Sequence, residues 1–325
     1  MIDLYATLGA ACSDRGTRVA LFRAGMTAAR LNLSHTTLRD CAPLLDRFFA
    51  AAKETGVTPR LVIDLQGPEL RVGALKHSIE LAEGTDILLG ESGVPVPQSV
   101  LDAAEEGDQL SLDDSAFLLE VTARDGNALR CRVLRGGILQ SRKSLAILGR
   151  ELDSPALTDA DRANLRDAGR FGVTDVLQPF VRGAEDVHTV RAALDGAGLS
   201  HIRVMAKIEN RRGFAHLDAI AAAADEICIA RGDLGNAMPL WELPRVQKEI
   251  SRRCREAGRP FCVATQLLWS MHERAVPTRA ETLDVYNAVL DGAAGLMLTG
   301  ETAVGKYPVE AMRYLANVAR EAENG

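Results

Sequence analysis

The stretches Ile202-Arg-Val-Met-Ala-Lys-Ile-Glu-Asn210 and Glu226-Ile-Cys-Ile-Ala-Arg-Gly-Asp-Leu-Gly235 decide the fold of this chain. Each starts with a short apolar run, which predicts buried strands over Ile202–Lys207 and Glu226–Ala230. The amphipathic stretch Phe214–Ala224 lies between them and predicts a helix. A strand, a helix and a second strand in this order indicate parallel strands joined by a crossover helix, the repeating unit of α/β folds.

The same alternation continues in both directions along the chain. Further strands are predicted at Ile2–Thr7, Ala28–Leu33, Leu61–Leu65, Asp175–Phe180, Phe261–Ala264 and Gly295–Leu298. Further helices are predicted at Leu38–Glu54, Asp159–Ala168, Ala184–Leu194, Leu243–Ala257, Thr278–Asp291 and Pro308–Glu323. This number of strand–helix units favours an α/β fold of the (β/α)8 TIM barrel type, and the alternative is a doubly wound open sheet. No G-x-G-x-x-G follows the first strand, so a dinucleotide site is not expected.

One long segment after the third strand lacks this alternation. It contains short predicted strands separated by turn signals, at Ile79–Leu81, Asp86–Leu89, Gln109–Leu112, Ala116–Val121 and Ala128–Val133. We therefore predict a barrel formed by residues 1–73 and 157–325, with a small β-barrel-like lid domain inserted at residues 74–156. An insertion on the catalytic face of a barrel suits a lid, because closure excludes water from a reaction. The alternative is an excursion without a role in catalysis.

The composition excludes several classes of protein. The chain has 325 residues, of which 47% are hydrophobic and 25% are charged, so a disordered or fibrous protein is excluded. A net charge of −6 argues against general nucleic-acid binding. We expect no signal peptide and no membrane span, because the chain has neither a cationic start before an apolar segment nor a long apolar run. The six cysteines form no C-x-x-C pair, which favours reduced thiols in a cytoplasmic protein.

Polar side chains occur where each predicted barrel strand ends, and barrel enzymes build their active sites at these ends. In strand order they are Thr7; Arg30, Asn32, Ser34 and His35; Asp64, with Glu69 and Arg71 beyond it; Arg182; Lys207 and Glu209; Arg231 and Asp233; Thr265 and Gln266; and Thr299 and Glu301. A capped loop or a surface charge explains any one of these residues, but it explains the whole set less well.

Two carboxylates in this set come from adjacent strands and can bind one cation. Glu209 and Asp233, with no His or Cys beside them, suit an oxygen-preferring ion such as Mg²⁺ or Mn²⁺. Lys207 lies two residues before Glu209, so both side chains point the same way on an extended strand. A lysine beside a bound divalent ion can stabilise an enolate or a phosphoryl group as negative charge develops.

Three further positions suit anionic ligands. Arg30 and Arg71 are natural phosphate ligands, although each alone is more often an ion-pair residue. Gly232 begins a probable helical turn whose free backbone N–H groups could hold a carboxylate or a phosphate.

Taken together, these motifs resemble the pyruvate kinase family. The matching stretches are Ala24–Met26, Arg30–His35, Asp64–Arg71, Lys207–Asn210, Ala230–Gly235, Ala264–Gln266, Pro277–Glu281, Asn287–Gly292 and Gly300–Ala303. Their order and spacing fit over nearly the whole chain, whereas the inserted segment matches only loosely. The resemblance implies a TIM barrel with a β lid in its third loop. It also implies phosphoryl transfer between phosphoenolpyruvate and ADP, giving pyruvate and ATP in glycolysis.

The resemblance also implies roles for individual residues. Glu209 and Asp233 would bind the Mg²⁺ (or Mn²⁺) ion, and Lys207, Gly232, Asp233 and Thr265 would contact the substrate. Lys207, Thr265, Arg71 and Arg30 would take part in catalysis, Thr265 in the proton path to the enolate carbon. The implied nucleotide contacts are Arg30, Asn32, His35, Arg71 and Lys143, and the implied K⁺ ligands are Asn32, Ser34, Asp64 and the Leu65 carbonyl.

The dependence on K⁺ receives mixed signals from the resemblance. Glu69 stands where potassium-independent members have a lysine whose ammonium replaces the ion, and this difference implies a requirement for K⁺. Leu65, Gln66 and Val72 instead resemble the potassium-independent branch. We give Glu69 more weight and expect K⁺ activation, because a glutamate at this position supplies no positive charge that could replace the ion.

Several departures from the family pattern concern the nucleotide side of the site. Val304 replaces a lysine, Pro179 a serine, and Ala146 and Ser144 in the lid replace an asparagine and a glycine. The sequence stops at the last predicted barrel helix, so we expect the family's C-terminal regulatory domain to be absent. A homodimer through the barrel is then the first expectation and a monomer the second.

The sequence leaves two alternative functions open. One is a related barrel enzyme that uses the same metal, lysine and enolate with a different phosphoryl donor or acceptor. The other is an inactive, pyruvate-kinase-like binding subunit. The presence of Lys207, Glu209, Asp233 and Thr265 argues against the second, because a non-catalytic descendant need not retain all four groups.

Overall fold

A computed structural model describes residues 2–34, 36–91, 93–113, 116–150, 152 and 154–325 of the chain. The chain divides into two compact units, one formed by Met1–Gly67 with Ala156–Gly325 and the other by Pro68–Pro155.

The strands and helices are numbered here in chain order. The strands are β1 (Asp3–Thr7), β2 (Ala28–Asn32), β3 (Arg60–Asp64), β4 (Ile79–Leu81), β5 (Asp86–Leu89), β6 (Gln109–Leu112), β7 (Phe117–Asp125), β8 (Ala128–Arg135), β9 (Gly137–Leu139), β10 (Leu145–Ile147), β11 (Asp175–Gln178), β12 (Arg203–Ile208), β13 (Glu226–Ala230), β14 (Phe261–Ala264) and β15 (Gly295–Leu298). The helices are α1 (Arg15–Ala24), α2 (Ala42–Thr55), α3 (Gln98–Ala103), α4 (Asp159–Asp167), α5 (Ala184–Gly196), α6 (Arg211–Ala215), α7 (Leu217–Ala223), α8 (Arg231–Asn236), α9 (Leu243–Glu256), α10 (Arg279–Leu290), α11 (Gly300–Ala303) and α12 (Pro308–Asn324).

The first unit is a closed barrel. Among the described residues, parallel strands follow one another around it in the order β1, β15, β14, β13, β12, β11, β3 and β2, and β2 pairs again with β1. This arrangement confirms the predicted (β/α)8 TIM barrel. Because all strands run in the same direction, their carboxyl ends meet at one face, and the polar residues that follow them lie at that face.

Two hydrophobic clusters stabilise the barrel. The larger lies between the strands and the surrounding helices and includes Ala6, Ile63 and Val204. A separate cluster consists of side chains that alternate with these along the strands, which assigns it to the barrel interior. Its members are Tyr5, Ala28, Val62, Leu177, Met205, Cys228, Ala230, Cys262, Ala264 and Met297.

The second unit is built from antiparallel strands. Its larger sheet has the order β10, β6, β7, β8 and β5, and β4 pairs with β9 in a small ribbon. The unit has a hydrophobic core of its own, which includes Leu110, Leu119 and Val133. It begins at Pro68 instead of the expected residue 74, because Val72 is buried in this core and its backbone N–H donates to the Lys143 carbonyl at 2.8 Å.

Several element boundaries differ from the sequence-based prediction for local reasons. Strand β11 stops at Gln178 instead of Phe180, because Pro179 has no N–H and Phe180 adopts a left-handed φ of 51°. The helix predicted at Phe214–Ala224 is two short helices, α6 and α7. Helix α6 starts early because the Asn210 side chain accepts a hydrogen bond from the Gly213 N–H at 2.6 Å and caps it.

In the described part of the chain, no helix combines the length and the apolar character that a membrane crossing requires. All six cysteines are described, and each is buried and outside any disulfide.

Candidate active site

Lys207 is held between two carboxylates at the carboxyl face of the barrel. Its Nζ lies 3.0 Å from Oε1 of Glu209 and 3.3 Å from Oδ1 of Asp64. Burial lowers the pKa of Lys207, but the charges of Asp64 and Glu209 outweigh this effect and raise its pKa above the usual value. The side chain is therefore an ammonium group of which only 13% is exposed. The strand period places residues 207 and 209 on the same side of the chain, as predicted.

Asp64, at the end of β3, also pairs with an arginine of the neighbouring strand β2. Arg30 Nε and Nη2 lie 2.8 and 2.6 Å from Asp64 Oδ2, and Arg30 Nη1 donates to Thr7 Oγ1 at 3.1 Å. The other oxygen, Asp64 Oδ1, is buried and lies 3.3 Å from Lys207 Nζ, and within the described part of the chain no donor makes a well-aligned hydrogen bond to it. A buried carboxylate oxygen in this state can accept a further donor or cation.

Glu209 is buried and fixed at both of its oxygens. Oε1 pairs with Lys207, and Oε2 accepts a hydrogen bond from the Phe180 N–H at 2.7 Å. Burial raises the pKa of Glu209 to about 7, Lys207 opposes this shift, and the negative charge of Asp233 adds to it. Asp233 belongs to the short helix α8 and is partly buried. The two carboxylates are thus close enough to influence each other electrostatically.

This pair of carboxylates fits a hard divalent cation. Across the described residues, no group of three or more His, Cys, Asp or Glu side chains forms a metal cluster. An ion held here would therefore take the carboxylates of Glu209 and Asp233 and complete its shell with water and substrate oxygens, as Mg²⁺ commonly does. The oxygen donors and the mutual repulsion of the two acids both suit that ion.

Thr265, directly after β14, has an unusual backbone conformation. Its φ is 72°, and the next residue, Gln266, has a φ of 53°. The Thr265 carbonyl accepts hydrogen bonds from Arg231 Nη2 at 2.7 Å and Nε at 3.1 Å. The Gly232 N–H donates to Thr265 Oγ1 at 2.9 Å. Of the N–H groups of this turn, that of Gly232 thus has the threonine hydroxyl as a partner, and an anion site at the turn stays a prediction.

Comparison with known proteins shows the family of the chain. The family model described as the barrel domain of pyruvate kinase matches residues 2–312. The chain belongs to the pyruvate kinase family. It is 38% identical to a pyruvate kinase of Geobacillus stearothermophilus over 98% of this chain and 56% of that protein. It is 37% identical to pyruvate kinases of Aeropyrum pernix, over 99% of this chain and 70% of that protein, and of Mycobacterium tuberculosis, over 97% and 68%. The chain thus spans little more than half of the Geobacillus protein and about two thirds of the other two.

The residues that the pyruvate kinase resemblance assigns to K⁺ lie at or just after the ends of β2 and β3. Asn32 and Asp64 are register partners on these strands, and Asn32 Oδ1 accepts a hydrogen bond from the Ser34 N–H at 3.0 Å. Leu65 follows directly after Asp64 and is buried. Asp64 Oδ1, which has no well-aligned hydrogen bond among the described residues, could serve as an oxygen ligand of a cation at this position. His35, the predicted nucleotide contact, lies outside the described residues.

Two other predicted nucleotide contacts, Arg71 and Lys143, belong to the inserted unit. Arg71 Nη2 pairs with Glu69, and Arg71 Nη1 donates to the Arg142 carbonyl at 2.8 Å. Lys143 Nζ lies 3.0 Å from Asp113 Oδ2. The charge of Glu69, on which the potassium expectation partly rests, is therefore compensated within its own unit.

Two features of the site had no usable sequence signal. The Phe180 N–H contacts Glu209 through the backbone, which any residue type except proline could supply. Arg231 stood out as a polar residue after β13, but its partner Asp284 lies 53 residues away on α10. Only the folded chain brings that pair together.

Proposed function

We propose that this chain transfers a phosphoryl group from phosphoenolpyruvate to ADP, giving pyruvate and ATP. The observation that supports this reaction most directly is the nearly buried ammonium of Lys207, held beside Glu209 and Asp64 at the carboxyl face. A fixed positive charge stabilises negative charge on a transferring phosphoryl group and on an enolate oxygen. Family membership supports the choice of substrates.

In this proposal each of the charged side chains of the site has a separate role. Glu209 and Asp233 would hold Mg²⁺, or Mn²⁺, which when bound offsets the negative charge of the phosphoryl and enolate oxygens. Lys207 orients the phosphoryl group and supplies positive charge at the bridging oxygen. Arg30 donates to Asp64 and Thr7 through all three guanidinium nitrogens, so it acts by fixing Asp64 and by contributing charge near the phosphates.

The bond changes of the reaction balance as follows. A β-phosphate oxygen of ADP forms a new P–O bond, and the P–O bond to the enol oxygen of phosphoenolpyruvate breaks. The electron pair of that bond stays on the enol oxygen, next to Lys207. The enolate then takes one proton at its methylene carbon to become pyruvate. Thr265 would belong to the path of that proton, through a water molecule.

A coupled assay tests this function. Phosphoenolpyruvate and ADP are supplied with Mg²⁺ and K⁺, and formation of pyruvate and ATP is followed, with phosphorus nuclear magnetic resonance identifying the phosphorylated product. ATP formation at more than about 1 s⁻¹ would support the proposal, since enzymes commonly turn over at this rate or faster. Transfer to other acceptors, or loss of phosphate only to water, would overturn the assignment of ADP as acceptor.

The remaining expectations are also proposals. The reaction would serve glycolysis in the cytoplasm. A homodimer through the barrel is supported by exposed apolar side chains on and near the barrel helices, among them Trp241, Leu283 and Leu290. Sedimentation velocity separates this dimer from a monomer, and a stable tetramer would contradict the proposed assembly.

A further inference from the structure

Thr265 occupies a backbone conformation that its residue type disfavours. A φ of 72° is in the left-handed region, where a β-branched residue is a clear outlier, and Gln266 follows it in the same region. Such a conformation is strained and persists only where the surroundings enforce it. The cause of the conformation therefore has to be found among the contacts of Thr265.

The contacts that enforce it come from the end of β13. Arg231 donates two hydrogen bonds to the Thr265 carbonyl, at 2.7 and 3.1 Å, and the adjacent Gly232 N–H donates to Thr265 Oγ1 at 2.9 Å. The backbone and the hydroxyl of Thr265 are thus both tied to two consecutive residues. The same two residues begin α8, which carries Asp233. Thr265 and the proposed metal ligand Asp233 therefore share one anchor.

The orientation of Arg231 depends in turn on a second helix. Its Nη1 donates to both oxygens of Asp284 on α10, at 2.8 and 2.7 Å. Only 9% of the Arg231 side chain is exposed, against 34% of Asp284. A nearly buried guanidinium needs a negative partner, and the carboxylate also fixes the plane in which the two remaining donors point at Thr265.

We propose that Arg231 and Asp284 are positioning residues that hold Thr265 in place for proton transfer at the substrate carbon. This inference rests on the proposed function, because it concerns the protonation step of that reaction. Neither residue is assigned a contact with the substrate. Loosening the pair would let Thr265 relax toward an ordinary conformation and move its hydroxyl away from the proton path. Displacements of about 1 Å in such groups lower reaction rates by as much as about a hundredfold.

The test separates proton transfer from substrate binding. The first variant is Asp284→Asn, which keeps the shape of the side chain but removes its charge. The first readout is exchange of pyruvate methyl protons with deuterated water, followed by proton nuclear magnetic resonance in the presence of Mg²⁺ and K⁺. The second is kcat and KM for phosphoenolpyruvate. We expect exchange to fall by about tenfold to a hundredfold, while KM stays within about twofold.

Two further variants control for general damage to the fold. Asp291→Asn removes the 2.7 Å ion pair between Asp291 and Lys248 just beyond the same helix, and it should leave exchange and kcat unchanged. Arg231→Lys keeps the positive charge but cannot direct two donors at the Thr265 carbonyl, so it should lower exchange as Asp284→Asn does. Asp284→Glu should recover part of the loss, and thermal unfolding of every variant shows which of them are folded.

The outcomes distinguish the two proposals. Exchange in folded Asp284→Asn or Arg231→Lys that stays within about twofold of the parent would overturn the positioning role, as would a rise in KM without loss of exchange. If Asp284→Asn and Arg231→Lys do not fold but Asp284→Glu folds with unchanged exchange, the pair only stabilises the barrel and the inference is likewise overturned. A parent enzyme that exchanges pyruvate protons but forms no ATP would contradict the proposed function alone.

Discussion

Lys207 Nζ lies 3.0 Å from Glu209 Oε1, so the cation expected to stabilise the transferring group is bound to a carboxylate expected to hold the metal. The Glu209 carboxylate thus pairs with the Lys207 ammonium and is also expected to bind the metal ion. Its second oxygen, Oε2, accepts a hydrogen bond from the Phe180 N–H. The arrangement keeps the lysine charged in a buried site, because the two carboxylates raise its pKa against the effect of burial. It also means that changes at either residue alter the electrostatics of both.

Replacing Lys207 by methionine should reduce turnover far more than substrate affinity. The positive charge is needed most where negative charge develops, in the transition state. We expect kcat to fall by about a hundredfold to a thousandfold, while KM for phosphoenolpyruvate changes by less than about tenfold. Steady-state kinetics measure both quantities. Lys248→Met is a matched control, because Lys248 is half-exposed and pairs with Asp291 at the surface. A raised KM with unchanged kcat would contradict the assigned role.

Replacing Asp233 by asparagine should weaken binding of a divalent ion. The substitution removes one of two negative charges while leaving the contacts of Glu209 with Lys207 and Phe180 untouched. We expect the dissociation constant of Mn²⁺ to rise by at least about tenfold, since even indirect changes at metal sites have effects of this size. Titration followed by electron paramagnetic resonance measures it. Asp218→Asn, at an exposed position on α7, is the control, and equal Mn²⁺ affinity in Asp233→Asn and the parent would remove Asp233 from the metal site.

The barrel was predictable because its signals are local. Strands β13, β14 and β15 have the predicted bounds, since each is a continuous apolar run that ends at polar residues. Of the strands with three residues, β4 was predicted with its bounds but β9 and β10 were not, because a run of that length carries too little periodicity to be identified consistently.

The residues of the site were less predictable from physical pattern alone. Their positions after strands pointed to the carboxyl face, but the individual roles came from the family resemblance. The left-handed backbone of Thr265 could not be predicted, because local propensity opposes it and a contact with Arg231 enforces it. The link from Arg231 to Asp284 is a tertiary contact with no trace in the sequence pattern.

Replacing Asp161 by alanine should destabilise the barrel unit, because Asp161 holds the segments of that unit that precede and follow the inserted residues. Asp161 is fully buried on α4 and accepts hydrogen bonds from the Gln66 and Gly67 N–H groups at 2.8 and 3.0 Å. It also accepts from the Thr158 N–H and hydroxyl, at 2.9 and 2.7 Å. One carboxylate therefore binds the chain on both sides of the inserted segment.

The loss of these four hydrogen bonds leaves buried donors without partners. We expect the free energy of unfolding of Asp161→Ala to fall by about 3 kcal/mol, measured by urea denaturation. Asp159→Ala, an exposed position in the same helical turn, should change it by less than about 0.5 kcal/mol. Equal stabilities of the two variants would show that the carboxylate of Asp161 contributes nothing to this junction.

We expect potassium to activate turnover. In the structure the carboxylate that a K⁺ ion would compensate is Asp64 and not Glu69. Glu69 is paired with Arg71, so its charge is already offset. Asp64 Oδ1, in contrast, is buried beside Asn32 and close in sequence to Leu65, and its contact with Lys207 Nζ at 3.3 Å is not a well-aligned hydrogen bond. Arg30 and Lys207 flank Asp64, but Lys207 is shared with Glu209, and the two anionic substrates of the proposed reaction would add further negative charge. A further monovalent cation held by oxygen ligands reduces the repulsion in such a partly dry site.

We therefore expect turnover in K⁺ to exceed turnover in tetramethylammonium by at least about tenfold at matched ionic strength, a difference of about 1.4 kcal/mol in the barrier. Ser34→Ala removes one expected ligand oxygen and should raise the K⁺ concentration for half-maximal activity. Thr36→Ala removes a hydroxyl of similar size two residues further along and should leave that concentration unchanged. If turnover is the same in both cations, the charges of Arg30 and Lys207 suffice without a bound ion, and the expectation of K⁺ activation is wrong.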